Sequence, residues 1–363
     1  MSLLYLLLLA IVAVLLQRYS LKHCLDGLHY ELQPEKQLVE CGEEFQIHTT
    51  VTNQKRRPVL YLRLHEFIPR TMKTSLDGTN IRRKVGMEYS VSEHSELSQT
   101  VYLMPRQKLR RSLTVSLPAR GRYFFRSASL ASGDLLGLQE RSKQFDFLRE
   151  IVVMPERADC PELDSAFGSY LGDMSVRRFI LSDPILTVGF RDYTGREPQR
   201  DISWPATLRR GELMVKQYDY TAEMTATVLL DIIGGTHEEI ERCYSLTRSV
   251  CEKLESKRIR YSMLTDAPCA DAVGGWNYIS DGIGARHLSV ILEGLGRATY
   301  TPTESFELLM QQAEKECTTS RGYVLVTPSL DAEKLAAIRR LESRTGQKVL
   351  TVLARAEKQE AAV

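Results

Sequence analysis

The hydrophobic period of this chain changes once, and the change dictates two folding units of different class. From Leu28 to Pro155 apolar residues recur at every second position. Phe45, Ile47, Thr49 and Val51 alternate with Glu44, Gln46, His48 and Thr50; Leu60, Leu62 and Leu64 alternate with Tyr61, Arg63 and His65; Leu113, Val115 and Leu117 repeat the rhythm. A period of two puts successive side chains on opposite faces of an extended chain, so each run is predicted to be a half-buried strand. Turn residues at Cys41-Gly42, Asn53 to Pro58, Asp77-Gly78, Pro118 to Gly121 and Gly133-Asp134 punctuate the runs. Strands at this spacing predict an all-β immunoglobulin-like sandwich over residues 28–155, whose plainest role is a spacer.

Over residues 225–354 continuous apolar runs alternate with helical periods. Thr225 to Ile232 reads as a buried strand, followed by a helix from His237 to Ser256 with Thr236 and Glu239 as its capping box. Next come a strand Arg260 to Leu264, a helix Arg286 to Leu295, and a helix Pro302 to Cys317 capped by Thr301 and Glu304. A strand Gly322 to Thr327, a helix Leu330 to Thr345 ended by Gly346, and a strand Lys348 to Leu353 complete the pattern. Such alternation predicts an α/β, Rossmann-like unit with a parallel sheet covered on both faces. Residues 355–363 read as a frayed tail.

Residues 156–224 connect the two. Within them Phe190 to Tyr220 interleaves polar, aromatic and turn residues more densely than a packed core needs. Ser203 is placed to cap a short helix running to Arg210 and closed by Gly211, with Pro205 in its first turn and the Trp204 ring buried beneath it. Arg191 or Arg200 is positioned to pair with Glu197 or Asp201. Such a network either locks a structural connection or, with guanidinium groups beside Tyr and Trp, forms a protein-docking surface.

Arg191, Tyr193, Gly195, Glu197, Arg200, Ile202, Trp204 and Arg209 together resemble the signature of the family called domain of unknown function 58. The spacing from Tyr193 to Arg200, Ile202 and Trp204 is the family's, with Glu197 and Ser203 standing for its two Asp residues. The resemblance implies a von Willebrand factor A-like fold for the α/β unit and a partner of the MoxR-type AAA+ ATPase class. It also implies that Arg191, Tyr193, Gly195, Glu197, Arg200, Trp204 and Arg209 belong to the partner-binding region. In von Willebrand factor A domains the first strand ends in D-x-S-x-S, which helps to hold magnesium. Here that stretch is Asp231-Ile232-Ile233-Gly234-Gly235, with neither hydroxyl, and Thr327-Pro328 stands where a supporting Asp is expected. Asp231, with Thr265 and Asp266, is left as a weak oxygen source. The expectation is no bound metal and no cofactor, with a metal-dependent binding module as the alternative.

Location is set by Leu3 to Leu16, an uninterrupted apolar run with Arg18 and Lys22 on its C-terminal flank. At about 1.5 Å per residue roughly 16 residues reach about 24 Å, short of a hydrocarbon core of about 30 Å. No basic residue precedes the run and no A-x-A-like site follows it, which argues for an anchor over residues 1–18 rather than a signal peptide. The flanking charges place the rest of the chain in the cytoplasm as a single-pass cell-membrane protein. An envelope-facing ligand sensor is the alternative topology.

The remaining features narrow the function classes. Across 363 residues, 48 basic against 46 acidic side chains leave a net charge of +2, which gives no polyanion-binding field and removes nucleic acid as a partner. Arg82, Arg83, Lys84 and Arg106, Lys108, Arg110, Arg111 read as solvated edges and loops. The 7 cysteines are scattered and form no C-x-x-C, which predicts free thiols. There is no G-x-S-x-G, H-E-x-x-H or P-loop pattern, and Asp281 to Arg286 reads as a loop. The expectation is a non-enzymatic, membrane-anchored scaffold or adaptor.

Overall fold

A computed structural model of the chain describes residues 2–75, 81–85, 94–133, 139–158, 165–170, 187–195, 197–218, 224–268, 277–315 and 321–354. It divides into two compact units, Met1–Glu156 and Arg157–Val363. From Arg157 onward the described residues of the connecting region 156–224 fall in the second unit. The physical reason is its own packing: residues 165–170 are helical, Phe167 and Tyr170 are buried, and the Tyr170 hydroxyl accepts the Tyr323 N–H at 2.6 Å. Residues 355–363, read as a tail, lie outside the described residues.

The first unit opens with helix α1 (Ser2–His23). From Leu7 to Tyr19 its described apolar side chains stand exposed, among them Leu9, Ile11, Val14 and Leu16. Among the described residues no helix is long and apolar enough to cross a membrane. The C-terminal end of α1 is fastened: Lys55 Nζ donates to the carbonyls of His23 and Cys24 at 3.3 and 2.5 Å, and Cys24 and Leu25 join an apolar cluster with Leu28, Val51 and Leu62. A cation at the carbonyl end of a helix satisfies orphan acceptors and opposes the dipole.

The period-two region folds as expected into two packed sheets. One has the order β1-β3-β8-β5, from β1 (Leu28–Pro34), β3 (Glu44–Asn53), β5 (Lys73–Thr74) and β8 (Lys108–Ser116). The other runs β2-β10-β9-β4-β7-β6, from β2 (Leu38–Val39), β4 (Val59–Pro69), β6 (Ile81–Val85), β7 (His94–Leu103), β9 (Gly121–Gly133) and β10 (Glu140–Val153). Phe45, Ile47, Leu97, Val115, Phe125 and Ile151 fill the space between them. Full burial of each such side chain contributes about 1.5–3 kcal/mol.

Two expectations need correction here. Leu60 does not share the inward face of Leu62 and Leu64; it is 69% exposed, because a register shift between Val59 and Leu62 inserts an extra residue and turns it out. Arg111 is not solvated. It turns inward onto the buried Glu66 carboxylate, which also accepts from Tyr30 Oη at 2.9 Å and Thr49 Oγ1 at 2.8 Å. A carboxylate reached by donors from the facing sheet is a polar clamp through the sandwich core, and burial beside it raises the Tyr30 phenol well above its ordinary value.

In the second unit a five-stranded sheet has the order β15-β14-β13-β16-β17, built from β13 (Thr225–Leu230), β14 (Arg260–Thr265), β15 (Tyr278–Gly282), β16 (Arg321–Thr327) and β17 (Val349–Leu353). Every residue of β16 and all but the first of β13 are buried, as a sheet covered on both faces requires. The covering helices are α4 (His237–Ser256), α5 (Ala285–Arg297), α6 (Phe306–Lys315) and α7 (Ala332–Thr345), numbered after α2 (165–170) and α3 (Trp204–Arg210). The capping box of Thr236 and Glu239 forms, and Gly346 closes α7 at φ 66°.

The sheet is not wholly parallel. β15 pairs antiparallel with β14 and contains Asp281 and Gly282, so these two residues are strand and not the loop expected from the sequence. The expected helix start at Pro302 is also wrong: α6 begins at Phe306. Tertiary bonds claim the preceding residues, with the Thr303 N–H on the Asp266 carbonyl at 3.0 Å and Glu304 bound by Asn277 and Gln312. Cys24, Cys41, Cys243 and Cys251 are free thiols, while Cys160, Cys269 and Cys317 lie outside the described residues.

Candidate functional site

The signature residues sit on an excursion between two strands. β11 (Thr187–Asp192) pairs antiparallel with β12 (Met214–Tyr218), and an isolated bridge joins Ile202 to Val215. Ile202, Met214 and Val215 are buried and form the root of the excursion. Tyr193 N–H bonds to the Leu213 carbonyl at 2.9 Å and Ser203 N–H to the Met214 carbonyl at 2.8 Å, closing both ends.

Above that root Glu197 organises the first turn. It accepts from Thr194 Oγ1 at 2.7 Å, from Thr194 N–H at 3.0 Å and from Arg191 Nη1 at 2.6 Å. The Thr194 hydroxyl, assisted by Arg191, lowers the Glu197 carboxyl to about 2. Gly195 holds φ at 83°, a conformation that favours glycine. Of the pairings expected from the sequence, Arg191 with Glu197 forms, whereas Arg200 lies 3.9 Å from Asp201 and remains largely exposed.

α3 departs from expectation in two ways. The Ser203 side chain makes no cap hydrogen bond; its backbone N–H is used by Met214, and the helix is instead tied down by Thr207 Oγ1 accepting the Met214 N–H at 3.0 Å. Trp204 is not buried beneath the helix. It is 62% exposed and Leu208, one turn on, is 84% exposed. A seven-residue helix that buries none of its residues has no inward apolar face, so this i, i+4 pair covers the outer one. Arg209 and Arg210 are exposed on the same helix, and Gly211 at φ 78° ends it. The arrangement presents an exposed indole and an exposed aliphatic chain on a short tethered helix that also carries Arg209 and Arg210.

A second polar constellation lies at the C-terminal edge of the sheet. β13 is central, and its neighbours β14 and β16 lead in opposite directions, so the crevice between β13 and β16 is a topological switch point, where open α/β sheets bind ligands. Asp231, Thr265, Asp266 and Thr327 end these strands and all are buried. Lys334 of α7 reaches in from above. Its Nζ donates to Asp231 Oδ2 at 2.5 Å, to the Ile233 carbonyl at 2.9 Å and to Thr327 Oγ1 at 3.2 Å. Thr327 Oγ1 donates to Asp231 Oδ2 at 2.6 Å, and Asp231 Oδ1 accepts the Ile233 N–H at 3.0 Å. Asp266 accepts the Ile232 N–H at 3.1 Å.

The magnesium that the resemblance implies does not fit these residues. An ammonium already occupies the free face of Asp231, and among the described residues no group of three or more His, Cys, Asp or Glu could hold a metal. A hydroxyl at position 235 has no room either, since a Cβ there would meet the Pro328 side chain at 2.9 Å. Lys334 was missed in the sequence reading although its position was legible. With Ala337, Ile338 and Leu341 it occupies i, i+3, i+4 and i+7 on the buried stripe of α7, where a lysine needs a partner.

Burial, reinforced by the Asp231 carboxylate, pushes the Asp266 carboxyl up from 3.8 to about 8. The folded chain thus keeps a proton that the unfolded chain releases, so this contribution to stability is full below about pH 4 and lost as pH rises through about 8. Urea midpoints of the second unit are expected to fall between pH 5 and 9, and Asp266→Asn to flatten that slope. An unchanged slope in the variant would remove Asp266 as its source.

No family model matches the sequence, and no curated protein matches it. Among solved structures it is similar to the CARDB domain of a Pyrococcus furiosus protein, solved in complex with di-metal ions. That likeness has 15% identity and a TM-score of 0.21 and covers 35% of this chain and 91% of that one. It is also similar to a cohesin module from a Clostridium perfringens family 33 glycoside hydrolase, with 10% identity and a TM-score of 0.25 over 35% of this chain and 96% of that one. Likenesses of this depth carry no function to this chain.

Proposed function

We propose that this chain is a membrane-anchored, non-enzymatic scaffold that docks a protein partner through the α3 surface. The observation that carries the reading is the exposure of Trp204 and Leu208 on a helix that buries nothing. A soluble surface rarely spends an indole this way. Trp and Arg are the side chains in which interface hot spots are enriched, and Arg200, Arg209 and Arg210 surround the pair in sequence. The root of buried Ile202, Met214 and Val215 holds the helix in place, which lowers the ordering cost of binding.

The α/β unit supports a von Willebrand factor A-like reading: numbered from β13, its sheet runs 3-2-1-4-5 with an antiparallel edge strand. Together with the signature residues this favours membership of the domain of unknown function 58 family and, through it, a MoxR-type AAA+ ATPase as partner. The exposed leucine-rich surface of α1 supports a single anchor in the cell membrane, with Arg18 and Lys22 keeping the remainder cytoplasmic.

The test is to extract the full chain from its native membrane in mild detergent, capture it by a C-terminal tag and identify co-eluting proteins with and without ATP. An ATPase of the AAA+ class whose capture depends on nucleotide is the expected result. Recovery in the soluble fraction without detergent would sink the anchor, and good yield with no protein partner would sink the docking role.

A further inference from the structure

The crevice between β13 and β16 contains a cation that is part of the chain. Its acceptors are a carboxylate oxygen of Asp231, the carbonyl of Ile233 and the hydroxyl oxygen of Thr327, and a lysine ammonium has three N–H groups to give. All three are used. The fourth direction carries the side-chain stem back to α7, and Nζ also lies 5.5 Å from the centroid of the Phe306 ring on α6. Asp231, Thr327 and Lys334 are each buried, so solvent does not screen the pair.

A carboxylate, a carbonyl and a hydroxyl are the oxygen types that hard divalent cations take. Here they converge at the switch point of the sheet, on a positive charge whose position is fixed by the packing of Ala337, Ile338 and Leu341. A divalent ion entering the crevice would have to expel an ammonium that cannot diffuse away, and would meet its like charge while doing so.

We propose that Lys334 is the resident cation of this crevice, a tethered ammonium that takes the place of a divalent ion and clasps α7 to the sheet edge. This crevice is therefore indifferent to divalent metals, and a ligand that meets it does so without a metal bridge. The proposal stands apart from the docking role of α3.

It predicts a gain of binding on removal of the lysine. Full-length wild type, Asp231→Asn, Lys334→Ala, Lys334→Met and the double variant Lys334→Ala/Asp231→Asn are compared by Mn2+ titration followed by electron paramagnetic resonance, and by thermal melts with and without Mg2+. The wild type is expected to bind no Mn2+ that depends on Asp231, and its melt not to move with Mg2+. Lys334→Ala leaves a charged carboxylate and an opened space; it is expected to melt lower, to recover with Mg2+, and to bind Mn2+ in a way the double variant loses. Lys334→Met fills the space without charge and is expected to melt lower without recovery. Wild-type Mn2+ binding abolished by Asp231→Asn would overturn the proposal, as would a folded Lys334→Ala that gains no Asp231-dependent Mn2+. Should Lys334→Ala fold only when Mg2+ or Mn2+ is added, the proposal is supported; should it stay unfolded with metal while Lys334→Met folds, it is overturned.

Discussion

Asp231→Ala is expected to destabilise the second unit by about 3–5 kcal/mol, the loss seen when one partner of a buried ion pair is removed. The size follows from what is left behind. Lys334 would be left in a buried site without its carboxylate partner, holding only the Ile233 carbonyl and the Thr327 hydroxyl, and Thr327 Oγ1 would be left with the Ser329 carbonyl at 2.9 Å as its acceptor. The Ile233 N–H, which closes the loop after β13 on Asp231 Oδ1, would be orphaned as well. Urea unfolding should show a lower midpoint, and amide exchange should quicken in β13, β16 and α7 ahead of the sandwich. Replacing both partners with apolar residues, Asp231→Leu with Lys334→Met, should recover much of the loss, because a well-packed apolar pair removes both desolvation costs. A single-variant loss below about 1 kcal/mol, typical of exposed pairs, would mean that solvent reaches the site.

The second large effect concerns binding. Arg200→Ala combined with Trp204→Ala is expected to leave the melt of the protein within about 0.5 kcal/mol of wild type, as surface substitutions do. Both side chains are exposed, and the 3.9 Å approach of Arg200 to Asp201 is worth little in water. Partner capture should fall by at least about 30-fold, which corresponds to about 2 kcal/mol, the threshold for a hot-spot side chain. Leu208→Ala, on the same helix face, should produce a smaller loss in the same direction. Arg191→Ala is the contrasting variant: it unties Glu197 and loosens its hold on Thr194, so its effect should include faster exchange of the Thr194 amide. Wild-type capture by a folded Arg200/Trp204 variant would remove α3 as the docking surface.

Much of the architecture could be read from periodicity because each strand or helix must turn an apolar face to a core. Phe45, Ile47 and Val51, and the continuous run from Thr225, have only one stable disposition apiece. Local rules also held where they are self-contained, as in the capping box of Thr236 with Glu239 and the Gly346 cap, since both partners lie within a few residues. They failed where a distant group competed. The start of α6 was displaced by bonds from Asp266 and Asn277, and Leu60 was turned outward by a register shift set against the neighbouring strand. At the signature, spacing identified Arg191 and Glu197 as a pair but not the orientation of Trp204, because a short helix can present its large side chain to either side.

What the sequence alone determined is the division into an alternating β half and an α/β half, the presence of a turn-rich polar excursion between them, and the lack of any side-chain hydroxyl in the four residues after Asp231. What only the tertiary structure decided is what fills the places left open. Lys334 lies 103 positions from Asp231 and reaches it only because β13 and β16 are neighbours and α7 folds back across their ends. No local propensity encodes such a contact; it arises when chain crossing brings a buried charge and its counter-charge into a space from which water is excluded.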